Sequence, residues 1–139
     1  MIAFCLFREP KSINAKAKFR QKYMRDVQLA FQATGCQAFP KISDLYFRMY
    51  YFHQRKDTRD ADNFSKPTLD ALKCHAYSDD KQVVHRTSAN INVEKYANIN
   101  FTNFPTDLVA SLSEAMLNNE PIIYIEIGDF MSNQVQFGG

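Results

Sequence analysis

Residues 57–84 read DTRDADNFSKPTLDALKCHAYSDDKQVV. Asp60 and Asp62 stand two apart, Lys66 follows four residues later, and Asp79 and Asp80 form a second acidic pair after a helix-like run. On extended chain, residues i and i+2 point to the same side, so Asp60 and Asp62 at a strand end would project together. Two neighbouring carboxylates repel unless something positive lies between them. A divalent cation meets that need: Mg²⁺ takes oxygen ligands and keeps several waters, so two or three aspartates suffice. Asp79 and Asp80 are expected in a loop that returns to the same strand end, as a β–α–β unit allows. Lys66, on the first helical turn, could hold a phosphate oxygen or neutralise charge that develops in a transition state. The set points to metal-dependent phosphodiester hydrolysis. A second reading competes with it. Asp-x-Asp-Asn also suits a helix N-cap, where acidic residues are favoured, and Ser-Asp-Asp is an ordinary polar turn. Spacing alone leaves both open.

Elements that would carry these residues can be read from the hydrophobic pattern. Residues 2–8 (IAFCLFR) predict a strand, and Pro10 breaks the chain after it. Phe19, Tyr23, Val27, Ala30 and Phe31 recur at steps of three and four, predicting a helix over about 15–34 that Gly35 stops. Residues 42–53 (ISDLYFRMYYFH) predict a long strand, with Leu45, Phe47, Met49 and Tyr51 alternating with Tyr46, Arg48, Tyr50 and Phe52. A helix is expected from Asn63–Lys66 to about His75, with Pro67 in its first turn and Leu69, Leu72 and Ala76 as its apolar stripe. QVVHRTSANINVE predicts a weakly alternating strand, with an extra hairpin near 85–101. A further helix over 105–118 is capped by Thr106 and turns Leu108, Leu112, Ala115 and Met116 inward. IIYIEIGDF closes the chain as a strand with Ile123, Ile125 and Ile127 on one face. The order β–α–β–α–β–α–β predicts one α/β layered domain over residues 1–139, built on a single mixed sheet. Residues 137–139 are expected to fray.

Composition sets outer bounds. The chain has 139 residues and is 45% hydrophobic and 23% charged, which suits one globular domain. The net charge of +2 hides an asymmetry: residues 1–60 carry twelve Lys/Arg against five Asp/Glu, and residues 61–139 carry five against ten. A basic half beside an acidic half fits a polyanion-binding face next to an acidic centre; mutual neutralisation in the fold is the alternative. Cys5, Cys36 and Cys74 form no CxxC pair. They predict reduced, mostly buried thiols in a cytoplasmic protein, and neither a disulfide framework nor a zinc site. The N-terminal apolar run is too short for a signal peptide, and no run is long enough for a membrane span.

The ordered string RDADNFSKPTLDAL…YSDDKQVV resembles the RusA family of Holliday junction resolvases. The family pattern D-x-D-N-x-x-K-x-x-x-D-A-L, then a short gap and D-D-x-x-V, is met by Asp60, Asp62, Asn63, Lys66, Asp70, Ala71, Leu72, Asp79, Asp80 and Val83. The resemblance implies a small homodimeric α/β endonuclease that makes paired nicks in four-way DNA junctions with Mg²⁺ or Mn²⁺, in recombination and repair. It implies Asp60, Asp62 and Asp80 as metal ligands, Asp79 as a further carboxylate, and Lys66 as the catalytic lysine. Asp70 is read as structural, for instance bonding a backbone amide or a lysine. No organic cofactor and no membrane partner are implied. The segment 94–121 is longer than in compact members of that family and adds a helix. A binder of branched DNA or RNA hybrids that keeps the fold without cutting is the competing reading.

Outside the acidic stretch, Arg55, Lys56 and Arg59 precede the first aspartate pair and suit phosphate contacts beside a metal. Lys11, Lys16, Lys18, Arg20, Lys22 and Arg25 would extend that track along the first helix, or simply be solvated. Asn14, in the Pro/Asn loop, is placed to approach the site. His53, His75 and His85 have no mutual spacing of a ligand set and read as core or surface histidines.

Overall fold

The computed structural model describes residues 1–96 and 99–138. The elements run β1 (Ile2–Leu6), α1 (Ala17–Ala33), β2 (Leu45–His53), α2 (Asp62–Leu72), β3 (Val83–Asn92), α3 (Val109–Leu117) and β4 (Ile122–Asp129). Short 3₁₀ turns at Asp80–Gln82, Thr106–Leu108 and Ser132–Gln134 join them. The four strands form one mixed sheet in the order β1-β4-β2-β3. The last strand in the chain is therefore inserted between the first two. β4 runs antiparallel to both β1 and β2, while β2 and β3 are parallel and joined by the α2 crossover.

Alternation along β2 sorts its side chains between two cores, as period 2 requires. Leu45, Phe47, Met49 and Tyr51 are fully buried with Ile123, Ile125 and Ile127 under α1 and α2. Helix α1 contributes Tyr23, Val27 and Phe31, and α2 contributes Phe64, Leu69 and Leu72. The two helices are pinned by a 2.7 Å hydrogen bond between the Tyr23 and Thr68 hydroxyls. On the opposite face Phe52, Ile122 and Tyr124 pack with Leu112 and Ala115 of α3, flanked by Phe101 and Phe104. Gly128 of β4 is required by space: a Cβ there would lie 2.8 Å from the Met1 Cβ and 3.0 Å from the Tyr46 ring.

The element order matches the expectation, and several details differ. Phe19 is 48% exposed, because the inward stripe of α1 starts one turn later, at Tyr23. Cys36 and Cys74 are exposed and only Cys5 is partly covered, against the expectation of buried thiols. Thr106 opens a 3₁₀ turn and makes no side-chain cap bond. The hairpin expected near 85–101 spans residues 97 and 98, which lie outside the described residues; β3 ends at Asn92, and residues 93–95 form a turn. Of the tail, Gly139 lies outside the described residues, and Phe137 is 94% exposed.

Candidate active site

The first acidic pair does not sit on extended chain at a strand end. Strand β2 ends at His53, and residues 54–61 form an irregular segment before α2. Asp62 is the first residue of the helix, and the Asp60 carboxylate accepts a 3.1 Å bond from its backbone N–H. Asp60 thus closes a side-chain turn just ahead of α2, whose N-cap is Ala61, and satisfies one of the donors that a helix N-terminus leaves free. The early start moves Pro67 into the helix interior, not its first turn. Pro67 cannot donate to the Asn63 carbonyl, its i−4 acceptor. That carbonyl instead accepts the Ile13 N–H at 3.0 Å. The missing helical bond thereby ties the loop around Asn14 to the helix that carries the aspartates.

The second acidic pair precedes β3. Because β2 and β3 are parallel, with Leu45 opposite Val83 and His53 opposite Asn92, the chain leaves β2 at one end of the pair and enters β3 at the other. The expected return to a common strand end therefore does not occur. Segment 54–61 runs back along β3 as far as Ser88. Asn92 Nδ2 donates to the Arg55 carbonyl (3.2 Å), Asn90 Nδ2 to those of Asp57 and Arg59 (both 3.0 Å), and Ser88 Oγ to that of Ala61 (2.6 Å). Those β3 residues alternate, so they share the sheet face that α2 covers.

Electrostatics link Lys66 to Asp70 and, less strongly, to Asp80. Lys66 is exposed and its ammonium lies 2.8 Å from Asp70, one turn on. The bond to Asp70 raises the Lys66 pKa, with the Asp80 charge adding to the rise and the Arg86 charge opposing it. Asp80 also faces Lys73 at 3.5 Å. Asp79 is occupied locally: its carboxylate accepts from the Lys81 N–H and caps the 3₁₀ turn, while Gln82 Oε1 accepts from the Ser78 and Asp79 N–H groups.

Basic residues before the aspartates divide into two kinds. Arg59 donates to both Asp57 oxygens and to the Pro10 carbonyl, and its guanidinium lies 4.8 Å over the Phe64 ring. Its bond holds the Asp57 carboxyl below the usual range and raises the Arg59 pKa. Glu9 is shared by Lys11 (2.9 Å) and Arg55 (3.4 Å), and the hydrogen bond from Lys11 lowers its pKa. Lys16, Lys18 and Lys56 are exposed and make no ion pair among the described residues. Arg86, Ser88 and Asn90 were not singled out by their sequence. Their signal was present in VVHRTSANIN, where polar residues recur with period 2 on a strand beside an acidic site.

Hard, exposed carboxylate oxygens suit a divalent cation that keeps much of its water. Asp60 retains one oxygen free of hydrogen bonds, and the Asp62 carboxylate has no partner among the described residues. No group of three or more His, Cys, Asp or Glu forms a ready-made metal cage among the described residues. Asp60, Asp62, Asp79 and Asp80 are thus not brought together as one ligand group, and a cation on the exposed carboxylates of Asp60 and Asp62 would have to keep most of its water.

Residues 7–100 match the family model of endodeoxyribonuclease RusA. The match covers more than half of the chain, from the end of β1 past β3, and includes every residue of the acidic pattern. The chain belongs to the RusA family, a class of endonucleases that resolve Holliday junctions. No curated protein matches the chain.

Proposed function

We propose that the chain is a divalent-metal-dependent nuclease that cuts four-way DNA junctions by paired phosphodiester hydrolysis. One observation supports the reading: segment 54–61 is laid along β3 by Ser88 and Asn90, so the helix that carries Asp62 and Lys66 starts against the strand whose entry turn carries Asp80. Asp60, Asp62 and Asp80 would hold Mg²⁺ or Mn²⁺, with Asp79 chiefly shaping the turn before Asp80. Bound there, the cation would polarise the phosphate and lower the pKa of a water.

The chain's own residues do the rest. Lys66 stays protonated and supplies a positive charge to oxygens on which charge develops. Asp70 restrains its position through the i,i+4 pair. Lys16, Lys18 and Lys56 take backbone phosphates, joined by Arg55 and Lys11 when DNA competes with Glu9. Arg59 serves by fixing the loop. Two copies in a symmetric dimer suit two symmetric cuts, and such an enzyme acts in recombination and repair in the cytoplasm.

Cleavage of a synthetic four-way junction beside its linear duplex, with Mg²⁺ and with EDTA, tests this. Wild type is expected to make paired nicks that need metal. Asp60→Asn and Asp80→Asn are expected to lose cutting while still binding the junction in EDTA. Tight junction binding with no cutting under either metal would sink the reading and leave a structure-selective DNA binder. Sedimentation of the DNA-free protein checks the dimer.

A further inference from the structure

Asn90 lies on β3, on the face turned toward α2, with every polar hydrogen and its carbonyl occupied. Its Nδ2 donates to the carbonyls of Asp57 and Arg59, both at 3.0 Å. Its Oδ1 meets Nε2 of His53, a residue only 2% exposed. The Arg55 N–H donates to His53 Nδ1 at 3.1 Å. His53 Nδ1 therefore carries no proton, and Nε2–H is the donor to Asn90. That chain of bonds fixes the orientation of the Asn90 amide and leaves no ambiguity about which end faces the carbonyls. Ser88 extends the same row by holding the Ala61 carbonyl between the two aspartates.

We propose that Asn90, supported by His53 and Ser88, is the positioning residue of the site. It holds segment 54–61 against β3 and so fixes where Asp60 and Asp62 stand at the start of α2. The inference rests on the metal-nuclease reading. Asn90 touches no substrate in this role, since its hydrogen-bonding capacity is already filled. An apolar residue at this position would leave two part-buried carbonyls without donors, and the segment would have no reason to run back along the strand.

Asn90→Asp keeps the shape and replaces the donor facing two carbonyl oxygens with an acceptor. Three readouts apply: amide exchange in metal-free protein, Mn²⁺ titration by calorimetry, and single-turnover junction cleavage. The variant is expected to speed exchange across residues 54–62, weaken Mn²⁺ binding and slow cleavage by about tenfold or more, with junction affinity in EDTA retained. Ser88→Ala, which removes one bond, is expected to act in the same direction and decides the matter if Asn90→Asp does not fold. Tyr46→Phe loses a hydrogen bond to Glu126 on the opposite sheet face and controls for general loss of stability. It should leave the Mn²⁺ titration unchanged. Exchange and Mn²⁺ affinity that stay at wild-type values in both Asn90→Asp and Ser88→Ala would overturn the proposal. If wild type neither binds Mn²⁺ nor cuts, the nuclease reading falls, and exchange across 54–62 alone decides whether Asn90 holds the segment.

Discussion

Lys66 shows how one side chain's partner sets its usefulness. The Asp70 carboxylate and, further off, Asp80 keep its ammonium charged more firmly than in free solution. The pair contributes a few tenths of a kcal/mol at most, because it is exposed and helical at i,i+4 spacing. The sign follows from the raised pKa. The contribution is complete below the ordinary value of 10.5 and is lost as pH rises through the higher folded value. Lys66 should therefore create no alkaline limb in the cleavage rate below about pH 10. Lys66→Met is expected to lower the single-turnover rate by about a hundredfold while junction binding in EDTA persists. A rate that survives the substitution would remove Lys66 from the chemistry. The residue types of this site were legible because ten matching positions stand in fixed order. The same stretch was legible as a helix start too, because Asp-x-Asp-Asn suits an N-cap, but spacing alone could not choose between that and a strand end.

At the scale of elements, the linkage between the Asn14 loop and α2 depends on a bond that the helix cannot make. Pro67→Ala restores an N–H beneath the Asn63 carbonyl, which the Ile13 N–H then has to share. The Ile13 amide is expected to exchange faster in that variant, by hydrogen–deuterium exchange, while Tyr23 and Val27 of α1 stay protected. Unchanged Ile13 protection would mean that other interactions hold the loop. Helix and strand order could be read from periodicity because α1 buries one clean stripe while β2 and β4 alternate between two cores. Strand β3 read weakly for a physical reason: its α2-facing side carries Arg86, Ser88, Asn90 and Asn92 and binds carbonyls instead of packing apolar groups. The parallel register that separates the strand ends follows from which strands pair, and a local pattern carries no such information.

For the whole molecule, the uneven charge has a measurable consequence. Twelve basic residues in the first 60 positions are partly cancelled by Glu9, Asp26 and Asp57, but Lys16, Lys18 and Lys56 remain open. Each phosphate that a lysine neutralises releases condensed counterions on binding. Replacing all three lysines by alanine is expected to flatten the dependence of log junction affinity on log salt by about 0.9 for each phosphate no longer neutralised. Filter binding across a salt series measures this, and an unchanged slope would show that these lysines face solvent.

The sheet order carries one more consequence, for how the chain is made. Residues 7–100 hold the family pattern, yet the strand that joins β1 to β2 is β4, residues Ile122–Asp129. During synthesis the acidic motif, α2 and β3 all emerge from the ribosome before the sheet that supports them can close. Until then β1 and β2 present apolar faces with no neighbour between them, the kind of surface that chaperones shield. Assembly therefore waits on residues that have no part in the chemistry, and a chain interrupted before Ile122 would carry the whole acidic pattern without a scaffold to align it.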